Sequence, residues 1–306
     1  MTPKFLLPLA LLAAPLTPGE HRFQSAGVTL WYKVAGRSAG VPVVFLHGGP
    51  GQGSMSFQRY AGPALERRLR MVYLDQRGSG RSERPKDQAA YSMDILVEDV
   101  ERLRLELGAE RIARVGHSFG TAIGMEYAAK YPDRVTRLVL AAGIPDIPAM
   151  IDAQCERLGR TDAEAYARAS AGVAAGARPR CDPFRAYPGK NQEYVNRNMF
   201  PDLKTAAMVD EADEADGLKN SGELSRAMFD QGLLQYRFAR PEALTMPVLV
   251  LAGAQDHQAV AGPQRAFAAK LPRGRYVEYP GRGHFMWVED PERFARDVAA
   301  FVSGGR

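Results

Sequence analysis

Residues 112–130 read IARVGHSFGTAIGMEYAAK: a short apolar run, the pentapeptide Gly116-His117-Ser118-Phe119-Gly120, then a stretch rich in helix formers. Residues 112–115 have the length and composition of a buried strand, so the pentapeptide falls on a strand-to-helix turn. A serine in the middle of such a turn is lifted clear of the sheet edge, where its hydroxyl can reach a substrate. The flanking glycines suit a tight, strained backbone that leaves no room for side chains beside the serine. A bare G-x-S-x-G string is common, and its serine can simply shape a turn. Set between strand and helix, it points to Ser118 as a nucleophile.

Outward from this turn, apolar β-rich runs lie at residues 28–34, 43–46, 71–74, 138–142, 248–252 and 276–279. Helical patterns cover 92–107, 121–130, 263–271 and 291–302. Strands alternating with helices predict an α/β fold, a mostly parallel sheet with helices on both faces. The run 28–34 alternates apolar and polar residues and is expected to be antiparallel at a sheet edge. The alternation stops across 144–245, which is rich in Ala, Arg, Asp and Glu. A structureless loop of that length is uncommon in a compact domain, so this stretch is expected to be an inserted helical cap. The core would then comprise 20–143 and 246–306, with the cap over the C-terminal edge of the sheet, where open α/β sheets bind ligands.

The 306 residues are 45% hydrophobic and 25% charged, with a net charge of +5. That composition is ordinary for a soluble protein, and scattered Arg and Lys give little support to nucleic-acid binding. Residues 1–19 stand apart: Lys4 precedes the apolar stretch FLLPLALLAAPL, too short to span a bilayer. They read as an export signal, cleaved after Ala13 or Gly19, which would make the protein periplasmic or secreted; an uncleaved arm on a cytoplasmic protein is the alternative. No other stretch reads as a membrane span. Cys155 and Cys181 are the two cysteines, and either one disulfide or two free thiols is open.

A serine needs a base, and there are five histidines. His21 lies by the possible processing site, His47 opens a glycine loop, His117 sits on the tight turn itself, and His257 follows an acidic residue directly. His284, in Gly281-Arg282-Gly283-His284-Phe285, follows the last strand and precedes the last helix, where its imidazole can swing over the sheet edge. Asp256 follows the strand at 248–252 and can fix the imidazole tautomer. Ser118, Asp256 and His284 also occur in the chain order expected of a nucleophile-elbow triad. The backbone N–H of Phe119 and that of Gly49, in His47-Gly48-Gly49-Pro50-Gly51, are the expected oxyanion donors.

On these residues the chain resembles the α/β-hydrolase family and, more narrowly, its proline iminopeptidase (prolyl aminopeptidase) branch of serine peptidases. The HGGPG loop at 47–51, DQRGSGRS at 75–82 and HFMWVEDP at 284–291 carry the narrower resemblance. It covers roughly 25–143 and 246–303 and fades in the cap. That branch commonly has Gly-Gly-Ser-Trp-Gly at the elbow; His117 and Phe119 depart from it and are closer to generic members, esterases included. The DQRGSGRS stretch is expected to be structural. An aminopeptidase must also pair a protonated amine, and the resemblance implies that cap carboxylates do so. The acidic run Asp210, Glu211, Asp213, Glu214 and Asp216 stands out, with Glu193, Glu223 and Asp230 nearby. Glu211, Glu214, Glu223 and Asp230 are the candidates, against the plainer reading of a solvated helix face. Tyr194, Met199, Phe200, Met228 and Phe229 are expected to be mostly cap core.

The sequence therefore predicts a serine aminopeptidase releasing an N-terminal residue, with proline implied by the resemblance, from short peptides. The alternatives are an esterase, lactonase or amidase with the same triad and, more distantly, a non-catalytic binding protein on this fold. Neither cofactor nor metal is expected, and the partner is a small peptide or small molecule.

Overall fold

The computed structural model describes residues 17–37, 39–215 and 222–304. Nearly all of the expected export signal, and Asp216, lie outside them. Eight strands form one sheet: β1 (Gly19–Ser25), β2 (Val28–Gly36), β3 (Val43–Leu46), β4 (Arg70–Asp75), β5 (Ile112–His117), β6 (Val135–Ala141), β7 (Val248–Gly253) and β8 (Gly274–Tyr279). Their order is β1-β2-β4-β3-β5-β6-β7-β8. β1 pairs antiparallel with β2, and β2 with β4, whereas β3 to β8 are parallel. The run at 28–34 is antiparallel, but it is the second strand rather than the edge. β1 takes the edge, and its polar sequence GEHRFQS, with only Phe23 and Ser25 buried, gives little strand signal.

Twelve α-helices lie among the described residues: α1 (Met55–Tyr60), α2 (Gly62–Glu66), α3 (Met93–Glu106), α4 (Phe119–Lys130), α5 (Ile147–Thr161), α6 (Ala163–Ser170), α7 (Asn191–Met199), α8 (Leu203–Asp213), α9 (Glu223–Asp230), α10 (Ala261–Ala268), α11 (Met286–Glu289) and α12 (Pro291–Val302). α3 shows how sequence sets an element. Ser92 caps its N-terminus by accepting the Ile95 N–H at 3.3 Å. Leu96, Val97, Val100 and Leu103 form its buried stripe at helical spacing. Gly108, at φ +59°, ends it in a left-handed turn.

Two apolar cores flank the sheet. One joins Leu103, Ile123, Val250 and Phe267, drawing on α3, α4 and α10. The other joins Phe57, Leu65, Trp287, Phe294 and Phe301, drawing on α1, α2, α11 and α12. Every residue of β3, β5 and β7 is buried, which is why β3 and β7 read as unbroken apolar runs; β5 also buries Arg114 and His117. Between β6 and β7 the described residues are helical, with no strand. Part of this insert forms a third, small core around Ile151, Leu158 and Tyr194, stapled by a disulfide between Cys155 on α5 and Cys181.

Candidate active site

At the end of β5 the chain turns sharply. Ser118 sits at φ +50°, ψ −119°, a left-handed conformation that costs a non-glycine residue about 1–3 kcal/mol. Its neighbours explain why the turn holds. The Ser118 N–H donates to the Ala141 carbonyl at 3.0 Å, and the Ser118 carbonyl accepts from the N–H (2.9 Å) and hydroxyl (2.6 Å) of Thr121. A Cβ on Gly120 would lie 2.1 Å from the Leu46 carbonyl oxygen, and one on Gly116 would lie 2.7 Å from the Gly120 oxygen. The elbow thus exists because two strands and a helix meet where no side chain intervenes.

His284 is 2% exposed, and its Nδ1 donates to Asp256 Oδ2 at 2.7 Å. The other oxygen of Asp256 accepts the N–H groups of Gln258 (2.9 Å) and Ala259 (2.8 Å), so the carboxylate is fixed from both sides. With the proton held on Nδ1, Nε2 is left as the acceptor. Ser118 and His284 border one cleft, which encloses about 680 Å³, part of it open to solvent. A hydroxyl, an oriented imidazole and a buried carboxylate are the groups that general-base-assisted nucleophilic attack requires.

The predicted oxyanion donors lie beside the same cleft. Phe119 opens α4, so its N–H has no partner within the helix. Gly49, at φ +106°, has no room for a Cβ, which would come within 2.7 Å of the Gly51 nitrogen. A Cβ on Gly48 would meet Ser118 Cβ at 2.9 Å, so this loop lies directly against the serine. His47 anchors it: Nδ1–H donates to the Gly48 carbonyl at 3.0 Å, and Nε2 accepts the Gln76 N–H at 3.0 Å. Burial lowers the His47 pKa, which keeps the ring in this neutral form.

DQRGSGRS is a scaffold beneath that loop. Arg77 grips Asp99 with two bonds of 2.6 Å, and Arg81 donates to Asp75 at 2.7 Å while stacking on Trp31. Neither arginine borders the cleft.

The loops carrying Asp256 and His284 are tied from below and from the insert. His117 Nε2 donates to the His284 carbonyl at 3.0 Å. Burial, and then the neighbouring His284, hold the His117 pKa well below the histidine range, so it remains a neutral donor. At the end of α7, the Asn198 carbonyl accepts the His257 N–H at 2.8 Å and the Met199 carbonyl accepts the His284 N–H at 2.8 Å. Gly283 passes so close that a Cβ would lie 2.3 Å from the Met199 oxygen. These ties could not be read in advance, because main-chain carbonyls leave no mark on residue choice.

The four candidate amine-binding carboxylates do not gather at the cleft. Glu211 is exposed and pairs with Arg59 at 3.4 Å, and Glu214 is exposed at the end of α8. Glu223 accepts the Tyr91 hydroxyl at 3.2 Å and pairs with Arg84 at 3.9 Å. Asp230 lies in a separate depression with Gln88 and Arg226. Asp213 turns inward, accepting the Ser56 N–H at 2.9 Å and the Gln52 amide at 2.7 Å, which docks α8 onto α1. Among the described residues that line the cleft there is no Asp, Glu, Lys or Arg, and His284 is the one titratable side chain. Among the described residues, no group of three His, Cys, Asp or Glu could hold a metal, and no helix is long and apolar enough to cross a membrane.

The wall opposite Ser118 comes from α5. Ile147, Met150, Ile151 and Gln154 face the cleft at spacing i, i+3, i+4, i+7, a stripe that helical periodicity could have revealed. Of the five apolar cap residues singled out from sequence, Phe229 borders the cleft, whereas Tyr194, Phe200 and Met228 are buried.

The alpha/beta hydrolase fold family matches the chain over residues 41–291. A putative carbamate hydrolase, RutD, of Caulobacter segnis is 30% identical over 270 residues, covering 87% of this chain and 93% of its own. A probable proline iminopeptidase of Streptomyces coelicolor is 37% identical over 162 residues, about half of each chain (50% and 49%). Among solved structures, the proline iminopeptidase-related protein of Thermus thermophilus superposes with a TM-score of 0.76 at 24% identity, covering 94% of this chain and 98% of that one. At that identity the likeness speaks for the fold.

Proposed function

The chain belongs to the alpha/beta hydrolase fold family, and on that premise we propose that it is a serine hydrolase of small esters or amides that carry no charge at the reacting end. Ser118 Oγ attacks the substrate carbonyl while His284 Nε2 takes its proton and Asp256 stabilises the imidazolium. The N–H groups of Phe119 and Gly49 stabilise the tetrahedral oxyanion. His284 then protonates the leaving group, and water, activated by the same imidazole, releases the acid from Ser118.

One observation carries the choice of substrate. The lining of the Ser118 cleft, His284 aside, is neutral among the described residues. A bound α-ammonium would be desolvated there without a counter-charge, at a cost of several kcal/mol. An uncharged ester, amide or carbamate carries no such cost. The aminopeptidase reading stands second. The His47–Gly51 loop and the partial similarity to proline iminopeptidases favour it.

A panel decides between them: a short-chain aryl ester and a prolyl-arylamide, the latter free and N-acetylated. Ester turnover with little cleavage of the free prolyl-arylamide is expected. Cleavage of that arylamide which acetylation abolishes would replace this reading with the aminopeptidase. Failure of a fluorophosphonate to label Ser118 would overturn both. We also propose that the protein is exported, a reading the Cys155–Cys181 disulfide supports; locating it by cell fractionation tests this.

A further inference from the structure

Seven large hydrophobic side chains are exposed among the described residues, and three of them, Phe184 (37%), Phe229 (44%) and Leu234 (38%), border the Ser118 cleft. They come from three separate pieces of the insert: the turn Pro183–Arg185, helix α9 and the turn Leu233–Gln235. Behind them the α5 stripe of Ile147, Met150 and Ile151 continues the apolar surface inward. The turn bearing Phe184 begins two residues after Cys181, whose disulfide partner Cys155 is on α5, so rim and inner wall are tied to one another. We infer that this surface is a track for an unbranched hydrocarbon arm of the substrate, running from the bond at Ser118 out to the rim. The inference rests on the serine-hydrolase reading and adds the class of substrate to it.

Convergent exposed apolar groups mark a binding site rather than ordinary surface. The occupant must be continuous with the reacting bond, because the same cleft holds Ser118 and His284. A polar arm finds little here. The Gln154 amide, the polar group of the α5 stripe, already donates to the Gln258 carbonyl at 2.9 Å. Peptide groups laid along this wall would lose water for few replacement partners, chiefly the Gln154 amide oxygen and the Gln258 side chain. A methylene chain needs no such partners, and each CH2 buried favours the bound transition state.

The chain can belong to the acyl group or to the alcohol, so two substrate series are needed. One varies p-nitrophenyl esters from acetate to decanoate; the other varies alkyl acetates from ethyl to octyl. In one of the series, kcat/KM is expected to rise about threefold per added methylene before levelling off. The responding series assigns the arm to the acyl or the alkyl side. The triple variant Phe184→Ser, Phe229→Ser, Leu234→Ser should lower the long-to-short ratio of kcat/KM at least tenfold in that series. A melting curve on the same sample verifies that it is folded, and the single variant Phe229→Ser, expected to lower the ratio about threefold, serves if the triple is not. Esters hydrolysed with flat profiles in both series would overturn the track and leave the hydrolase standing. An unchanged ratio in a folded variant would also overturn it. No turnover of any ester, with Ser118 unlabelled by a fluorophosphonate, would instead remove the hydrolase reading itself.

Discussion

The elbow around Ser118 and the rim around Phe229 border one cleft yet are built in opposite ways. The elbow is made of backbone: a left-handed serine, glycines whose Cβ atoms would collide with carbonyls, and main-chain hydrogen bonds to neighbouring strands. The rim is made of side chains, several left in water, on short helices and turns: Phe184 lies beside the small disulfide-stapled core, whereas the helix and turn of Phe229 and Leu234 pack through Leu224, Ala227, Met228 and Leu233 into one of the two cores of the sheet. Geometry set by the backbone cannot drift without loss of the fold. Contacts set by exposed side chains can be exchanged at small cost. On the proposed function, chemistry is stored in the rigid half and the choice of substrate in the replaceable one.

Four variants break or sharpen this contrast. Ser118→Ala should lower ester turnover by about 10⁴-fold or more, with the melting temperature shifted by only a few degrees. Turnover retained within tenfold would mean that the chemistry lies elsewhere. Gly120→Ala should do the reverse and attack the fold. Its methyl would lie 2.1 Å from the Leu46 oxygen, and a loss of about 4 kcal/mol or outright insolubility is expected by denaturant unfolding. A loss below about 1 kcal/mol would show that the elbow yields more readily than its contacts imply.

Removing the disulfide with Cys155→Ser and Cys181→Ser tests the other half. For a sequence separation of 26 residues, chain-entropy reasoning gives about 3.5 kcal/mol. The loss should be confined to the insert and appear as faster proteolysis between residues 147 and 199, the bounds of α5 and α7, before the sheet unfolds. Simultaneous cleavage of sheet and insert would mean that the two halves unfold as one unit.

The smallest effect is at Asp213, where the halves touch. Burial raises its pKa to about 6, against roughly 3.9 for an unfolded aspartate. Between those values the folded chain holds a proton that the unfolded chain has released. Stability from this contact is therefore full below about pH 4 and is lost as pH rises through about 6. Asp213→Asn removes the charge and keeps one oxygen to accept the Ser56 N–H, with the Gln52 amide turning its own oxygen toward the new NH2, so it should melt higher than the parent at pH 7.5 and flatten the slope between about pH 4 and 6. Parallel profiles for the two proteins would show that the carboxyl is not strained by burial.

Different parts of the molecule were legible to different degrees. Ser118, Asp256 and His284 stood out as candidates because each follows a strand, and with five histidines elimination carries weight. The structure joins Asp256 to His284 and sets His284 and Ser118 on one cleft. β1 escaped notice because an exposed edge strand has no apolar run to announce it. The acidic segment was misleading for a physical reason. Asp210, Glu211, Asp213 and Glu214 look alike in the sequence, yet helix phase turns Asp213 inward and leaves Glu211 and Glu214 in water. Charge in a sequence says nothing of facing until the partner helix, here α1, is known.

The two carbonyls at the end of α7 have a consequence for how this fold can change. Because Asn198 and Met199 hold the loops that carry Asp256 and His284, the inserted helices are not a detachable cassette. A chimaera that imports another protein's insert wholesale would discard two struts of the catalytic frame along with the old specificity. Recombination at this site should succeed only when the junction keeps the backbone path of residues 198 and 199, whereas a library that changes only their side chains leaves both carbonyls in place.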